Sequence, residues 1–155
     1  MQMSEHSLRI PERTAPLSAA MSDRIGAAVL ALVCLAVLSL AAWLNPSADG
    51  HGTHTQLGLT KCMWVAAFDR PCPTCGMTTS FSHAAEGSWF QAFKTQPMGA
   101  LLSLMTALIM WGSAIQATTG ARIGSMIQPI FKPKFFTLFG VLFVGAWIYK
   151  VMTWS

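Results

Sequence analysis

Three of the four cysteines, Cys62, Cys72 and Cys75, fall close together in the chain, and the last two frame the run Cys72-Pro73-Thr74-Cys75-Gly76-Met77-Thr78-Thr79. Thiols at this spacing can do three kinds of chemistry. As thiolates, Cys72 and Cys75 can share one soft ion such as zinc or copper, with Cys62 as a third sulfur. The fourth ligand would then be His83, His51, His54, Asp69 or water. His83 is the weak member of that set, because it stands about two helical turns beyond Cys75 and reaches the sulfurs only across a bend. Cys-Pro-x-Cys-Gly is also the knuckle of zinc ribbons, but a ribbon needs a second knuckle, and Cys62 brings only one more sulfur. The second chemistry is thiol–disulfide exchange, since a helix starting beside the motif lowers the pKa of its first thiol. The third is a structural bridge, Cys62 to Cys72 or Cys72 to Cys75, which leaves one of the three thiols unpaired.

The remaining reactive groups carry less. Cys34 sits mid-way through an apolar run and reads as a small hydrophobe. His51-Gly52-Thr53-His54 lies in a polar loop where histidines are ordinarily solvated. His83 and Glu86 are spaced i,i+3 on one helical face, with no nucleophile beside them. The chain has no glycine-rich phosphate loop, no His-Glu-x-x-His and no Gly-x-Ser-x-Gly. No catalytic residue is assigned on this reading, and no small-molecule substrate is indicated.

The elements that must position these thiols are membrane elements. Of 155 residues, 53% are hydrophobic and 10% charged, too little polar surface for a water-soluble domain, which carries about a quarter charged residues. Ile25 to Leu44, Met98 to Thr118 and Phe135 to Trp154 are apolar runs of bilayer-spanning length. The only charge inside them is Lys150, close enough to the end of its run to snorkel toward the headgroups. The expected fold is therefore all-α, an integral membrane protein with three transmembrane helices and a short interfacial or re-entrant helix between spans 1 and 2. Residues 1–24 read as a polar tail and 25–155 as one membrane domain. The polar lead is too long and too acidic for a secretory signal, so the first run is expected to be a retained anchor.

Between the first two spans, Asn45-Pro46 stops the helix and Ser47 to Gly58 is a polar, glycine-rich loop. A helix is expected from about Thr74 to Phe93, with Met77, Phe81 and Ala84 on one face and a break or kink at Gly87. Small residues suit close helix packing: Gly99, Ser103 and Ala107 in the second span, an alanine-rich first span, and Gly140 and Gly145 in the third. Basic flanks set the orientation. Arg9, Arg13, Arg24, Arg122, Lys132 and Lys134 lie on one side, against Lys61, Arg70, Lys94 and Lys150 on the other. That balance favours a cytoplasmic N-terminus and a periplasmic cysteine segment. The net charge of +4 is then a matter of topology and anionic lipid rather than of nucleic acid.

Cys62, the run Phe68-Asp69-Arg70-Pro71-Cys72-Pro73-Thr74-Cys75-Gly76-Met77-Thr78, Gly87, Ala92-Phe93 and Gln96-Pro97-Met98-Gly99 together resemble the small bacterial membrane proteins grouped as domain of unknown function 2752. Thr79 stands where that family usually has arginine, and Gln96 where it has asparagine. The absent arginine weakens any role in holding an anion or a lipid headgroup. The resemblance implies two to four helices in a bacterial membrane, and no activity. The expectation is thus a multi-pass protein of the bacterial inner membrane, contacting lipid and other membrane-protein subunits. Its expected role is that of a non-enzymatic accessory or assembly subunit of a larger complex. The competing expectation is a cysteine-based protein, either metal-binding (zinc or copper on Cys62, Cys72 and Cys75) or active in thiol–disulfide exchange.

Overall fold

The structure, a computed structural model, describes residues 21–60, 62–121, 123 and 133–154. The expected tail up to residue 20, and with it Arg9 and Arg13, lies outside the described residues, as do Lys61, Arg122 and Lys132. Every regular element described is helical. Three helices are long and apolar enough to cross a membrane: α1 (Met21–Trp43), α5 (Pro97–Thr119) and α6 (Pro133–Met152). α1 begins four residues, α6 two and α5 one before the apolar stretch that announced it. Large apolar side chains on all three stay exposed, as required of helices solvated by lipid.

α1 and α5 form the main pair. The buried positions of α1, Ala27, Cys34 and Ala41, recur every seven residues along one face, so Cys34 packs as the small hydrophobe it was expected to be. On α5 the inward residues begin with Met98, Gly99, Ala100 and Ser103. Pro97 starts α5, where a missing N–H costs nothing, and Gly120 in the left-handed conformation ends it. The Arg24 guanidinium donates to the carbonyls of Ala117 and Thr118 at 3.1 Å each. It thereby caps the negative end of α5 and fixes the two helices antiparallel.

Four short elements fill the connection between α1 and α5. They are a 3-10 turn (Thr53–Leu57), α2 (Met63–Phe68), α3 (Met77–Ala85) and α4 (Trp89–Thr95). The single helix expected from Thr74 to Phe93 is two helices, and the first begins only at Met77. Gly87, at φ 80°, turns the chain back, with its N–H on the Ala84 carbonyl and the Ser88 N–H on that of His83. The inward face of α3 also differs from the expected Met77, Phe81 and Ala84. Only Ala84 of those is buried, and Thr79, Ser80 and Ser82 join it. The reason lies in the neighbours, which for Ser80 and Ser82 are backbone carbonyls. Ser80 Oγ lies 2.8 Å from the Ala92 carbonyl and 3.0 Å from that of Gln96, and Ser82 Oγ donates to the Leu44 carbonyl. Small hydroxyls satisfy these groups without holding the helices apart. A Cβ on Gly99 would come 2.8 Å from the Ser80 Cβ, so α3 and α5 are in contact at a glycine.

α2 turns Met63, Trp64 and Phe68 outward, the pattern of a helix lying at the lipid–water boundary. α6 buries only Ala146 and Lys150, both in its C-terminal half. Gly140 and Gly145 were expected to let helices approach closely, but an added Cβ at either meets nothing within 4 Å. α6 is held instead by polar groups at one end. Trp147 Nε1 donates to the Pro71 carbonyl (3.2 Å), Tyr149 Oη to that of Lys94 (3.1 Å) and Lys150 Nζ to that of Gly50 (3.2 Å).

Candidate thiol site

The motif Cys72 to Gly76 forms a tight turn that leads directly into α3. The Cys75 N–H closes on the Cys72 carbonyl at 3.0 Å, and the Met77 N–H on that of Thr74 at 3.2 Å. Gly76 then takes φ 83°, a conformation in which a side chain is strained. A Cβ there would lie 2.6 Å from the Gly50 carbonyl oxygen, so the loop after α1 sits directly on this glycine. Buried Pro71 precedes the turn, and its carbonyl is anchored by Trp147 from α6. Gln96, wholly buried, reaches the Pro73 carbonyl with Nε2 at 3.5 Å, while its Oε1 has no partner among the described residues.

Around this turn the chain encloses a cavity of about 670 Å³. Cys62, Cys72 and Cys75 all line it, together with His51, His54 and Asp49 from the polar loop. The three thiols set apart in the sequence are therefore brought to one place. The two loop histidines join them, although the sequence favoured a solvated role for both. His51 Nδ1 lies 2.9 Å from the Asp49 carbonyl and its ring 4.5 Å from that of Trp154; His54 Nε2 lies 3.3 Å from the Thr60 carbonyl. The loop is held to α3 by Thr53 and Thr79, buried hydroxyls 2.8 Å apart, the first of which also accepts from the Ser47 N–H. His83 lies toward the far end of α3 and does not line the cavity.

The thiols are free, and they are not equivalent. Cys62 is half-exposed at the start of α2. The Val65 backbone N–H, against partial burial and with help from the Trp64 amide and the Cys72 thiol, holds its pKa below the ordinary thiol value. Cys75 is buried, and burial, together with the neighbouring Cys72, pushes it up to about 11; the nearby Lys150 opposes that rise. Cys72 Sγ lies 3.4 Å from Thr74 Oγ1. Among the described residues, no group of three or more His, Cys, Asp and Glu side chains is gathered so as to hold a metal ion.

Residues 62–110 match the family model described as protein of unknown function (DUF2752). Over that stretch the chain is similar to the family. The DUF2752 segment starts at Cys62, contains the whole thiol turn with α3 and α4, and ends part-way along α5. Neither a curated protein nor a solved structure matches the chain.

Gly50 and Lys150 contribute to the site from outside the DUF2752 segment, and neither was given a role there from the sequence. Gly50 comes from the loop after α1. Lys150 comes from the third span and is 7% exposed, not snorkelled toward headgroups. The available signal for Lys150 was its isolation: an ionisable group within an apolar span marks a functional site by default.

Proposed function

We propose that this protein is a membrane-anchored thiol protein that exchanges disulfides through Cys62 and Cys72. The observation that carries the reading is that these two free thiols adjoin each other on one cavity, with Cys62 biased toward the thiolate. Cys62 is then the attacking sulfur. Its thiolate forms a mixed disulfide with one sulfur of an incoming disulfide, and the other sulfur leaves as a thiolate. The Cys72 thiolate next attacks Cys62 Sγ, releasing the partner's second thiolate. The partner gains two electrons and a Cys62–Cys72 disulfide remains; the reverse sequence oxidises a dithiol. Neither direction needs a cofactor.

The metal-binding reading, zinc or copper on Cys62, Cys72 and Cys75, draws on the same cavity but lacks a gathered set of three ligands. Two measurements on the purified protein separate the readings. A short pulse of oxidised glutathione, quenched with acid and followed by peptide mapping, should yield a first-formed Cys62–Cys72 disulfide that is absent in Cys62→Ser and in Cys72→Ser. Thiols that all stay reduced in oxidised glutathione, together with stoichiometric zinc or copper lost in the same variants, would overturn the proposal.

The cysteine segment is assigned to the periplasmic side of a bacterial inner membrane, with the N-terminus cytoplasmic. The excess of lysine and arginine on the N-terminal side supports this, and the periplasm is the compartment in which disulfides persist. A second reading, the accessory or assembly subunit, draws on α6. Apart from its docked C-terminal end this helix is largely uncovered, with Phe136, Leu138, Val141 and Val144 exposed. Extraction in gentle detergent should then recover a defined membrane-protein partner, and a monodisperse lone chain would count against it.

A further inference from the structure

The feature that disulfide exchange between Cys62 and Cys72 leaves unused is a buried cation beside a third thiol. Lys150 is 7% exposed and approaches the site from a membrane span. Its Nζ donates to the Gly50 carbonyl at 3.2 Å and stands 3.3 Å from the position a Cβ on Gly76 would occupy. It therefore lies against the residue that follows Cys75. The Trp154 ring is 6.0 Å away. An ammonium has three donors, and the Gly50 carbonyl takes one. A buried charge is costly unless paired, and Cys75 is the buried group next to it that can become an anion, attracted across the Gly76 turn. Around Cys75 the other titratable groups are Cys72 from its own turn, Cys62 at the start of α2, and Asp49, His51 and His54 from the loop.

We infer that Lys150 is a positioning residue for a three-sulfur relay, in which Cys75 takes over the disulfide first formed between Cys62 and Cys72. The inference rests on the thiol-exchange reading. The Cys75 thiolate, held against the Lys150 ammonium, attacks Cys72 Sγ. The Cys72–Cys75 bond forms as the Cys62–Cys72 bond breaks, and Cys62 leaves as a thiolate that can take up the proton Cys75 gave up. No electrons enter or leave the protein in this step. Cys72 is the shared sulfur, and the turn that joins its carbonyl to the Cys75 N–H already brings the two residues together. The outcome is a disulfide moved from the exposed side of the cavity to the buried side, with Cys62 free for a second attack.

The experiment uses the full-length protein in detergent with Cys34→Ala. A pulse of oxidised glutathione is followed by acid quenching at intervals and by peptide mapping of both disulfides. In the parent protein the Cys62–Cys72 disulfide should form first and then give way to Cys72–Cys75. In Lys150→Gln, which keeps a donor for the Gly50 carbonyl but not the charge, the first disulfide should form at the parent rate. The second should form about three- to ten-fold more slowly, because a loss of thiolate is partly offset by the greater nucleophilicity of a more basic sulfur. Lys150→Arg should restore most of the rate. A parent-like second step in Lys150→Gln, or no Cys72–Cys75 disulfide in the parent, overturns the relay while leaving exchange at Cys62 and Cys72 standing. Failure of the parent to form the first disulfide overturns the exchange reading itself. If Lys150→Gln slows both steps, Lys150 is holding the loop together rather than acting on Cys75, and the inference also fails.

Discussion

Gly76→Ala tests whether the thiol turn is built around contact with the loop after α1. Two costs combine at this position. The left-handed backbone at φ 83° costs an alanine about 1–2 kcal/mol. The new Cβ would also lie 2.6 Å from the Gly50 carbonyl oxygen, which is backbone and cannot rotate away. Relief requires the loop to move, and the carbonyl that moves is the acceptor of Lys150 Nζ. A hydrogen bond to a charged group contributes about 1.5–3 kcal/mol. The expected loss for Gly76→Ala is therefore about 2.5–5 kcal/mol.

Gly87→Ala is the matched control. Its φ is 80°, but an added Cβ meets nothing within 4 Å, so only the backbone cost of about 1–2 kcal/mol applies. Denaturant unfolding of both variants in one detergent, followed by helical circular dichroism, gives the difference directly. Gly76→Ala should be the less stable by about 2 kcal/mol, on the strength of the lost charged hydrogen bond. It should also expose Cys75 to maleimide at neutral pH, whereas Gly87→Ala should not. Equal losses in the two variants, or an unchanged Cys75 in Gly76→Ala, would refute the claim that the Gly50–Gly76 contact holds the site.

Two further outcomes follow from the same geometry. Ser80→Ala removes the buried hydroxyl that lies within hydrogen-bonding distance of the Ala92 and Gln96 carbonyls. It should cost about 1–3 kcal/mol in the same unfolding assay, and a neutral effect would mean that α3 and α4 are held by packing alone. With its pKa held up to about 11, Cys75 binds its proton in the folded state more tightly than in the unfolded chain. Its contribution to stability is thus fully present below the ordinary thiol pKa and is lost as pH rises toward about 11. Unfolding midpoints should fall over that alkaline window in the parent and fall less in Cys75→Ala, and parallel pH profiles would contradict the assignment.

What the sequence made legible was set by long-range solvation. Three apolar runs predict three spans whatever the details of packing, and the helices α1, α5 and α6 follow them. The clustering of Cys62, Cys72 and Cys75 was legible too, because Asn45-Pro46 and Pro97 confine the segment to one side of the membrane. The inward face of α3 was not. Hydrophobic periodicity pointed to Met77 and Phe81, but α3 packs on carbonyls exposed by the ends of α1 and α4, and hydroxyls satisfy those groups where methyls cannot. The close approach of Gly50 to Gly76 has no local signature either. It depends on where a loop returns after α1, which neither glycine records.

Lys150 shows how physical context can reverse a reading. A lysine near the end of a span ordinarily extends its stem along the helix and leaves its ammonium among headgroups. That course was closed here because α6 carries Trp147 and Tyr149 beside it, and their polar atoms engage the Pro71 and Lys94 carbonyls. These contacts dock the end of α6 against the loops, so the lysine points into protein and meets the Gly50 carbonyl. The same docking places a positive charge next to the one cavity thiol that burial keeps protonated. A lysine held there only as a peg for a carbonyl would be an expensive choice, because a neutral amide makes that hydrogen bond without burying a charge. On the relay proposed above, that cost is offset by a use for the charge, which favours the thiolate of Cys75 across the Gly76 turn.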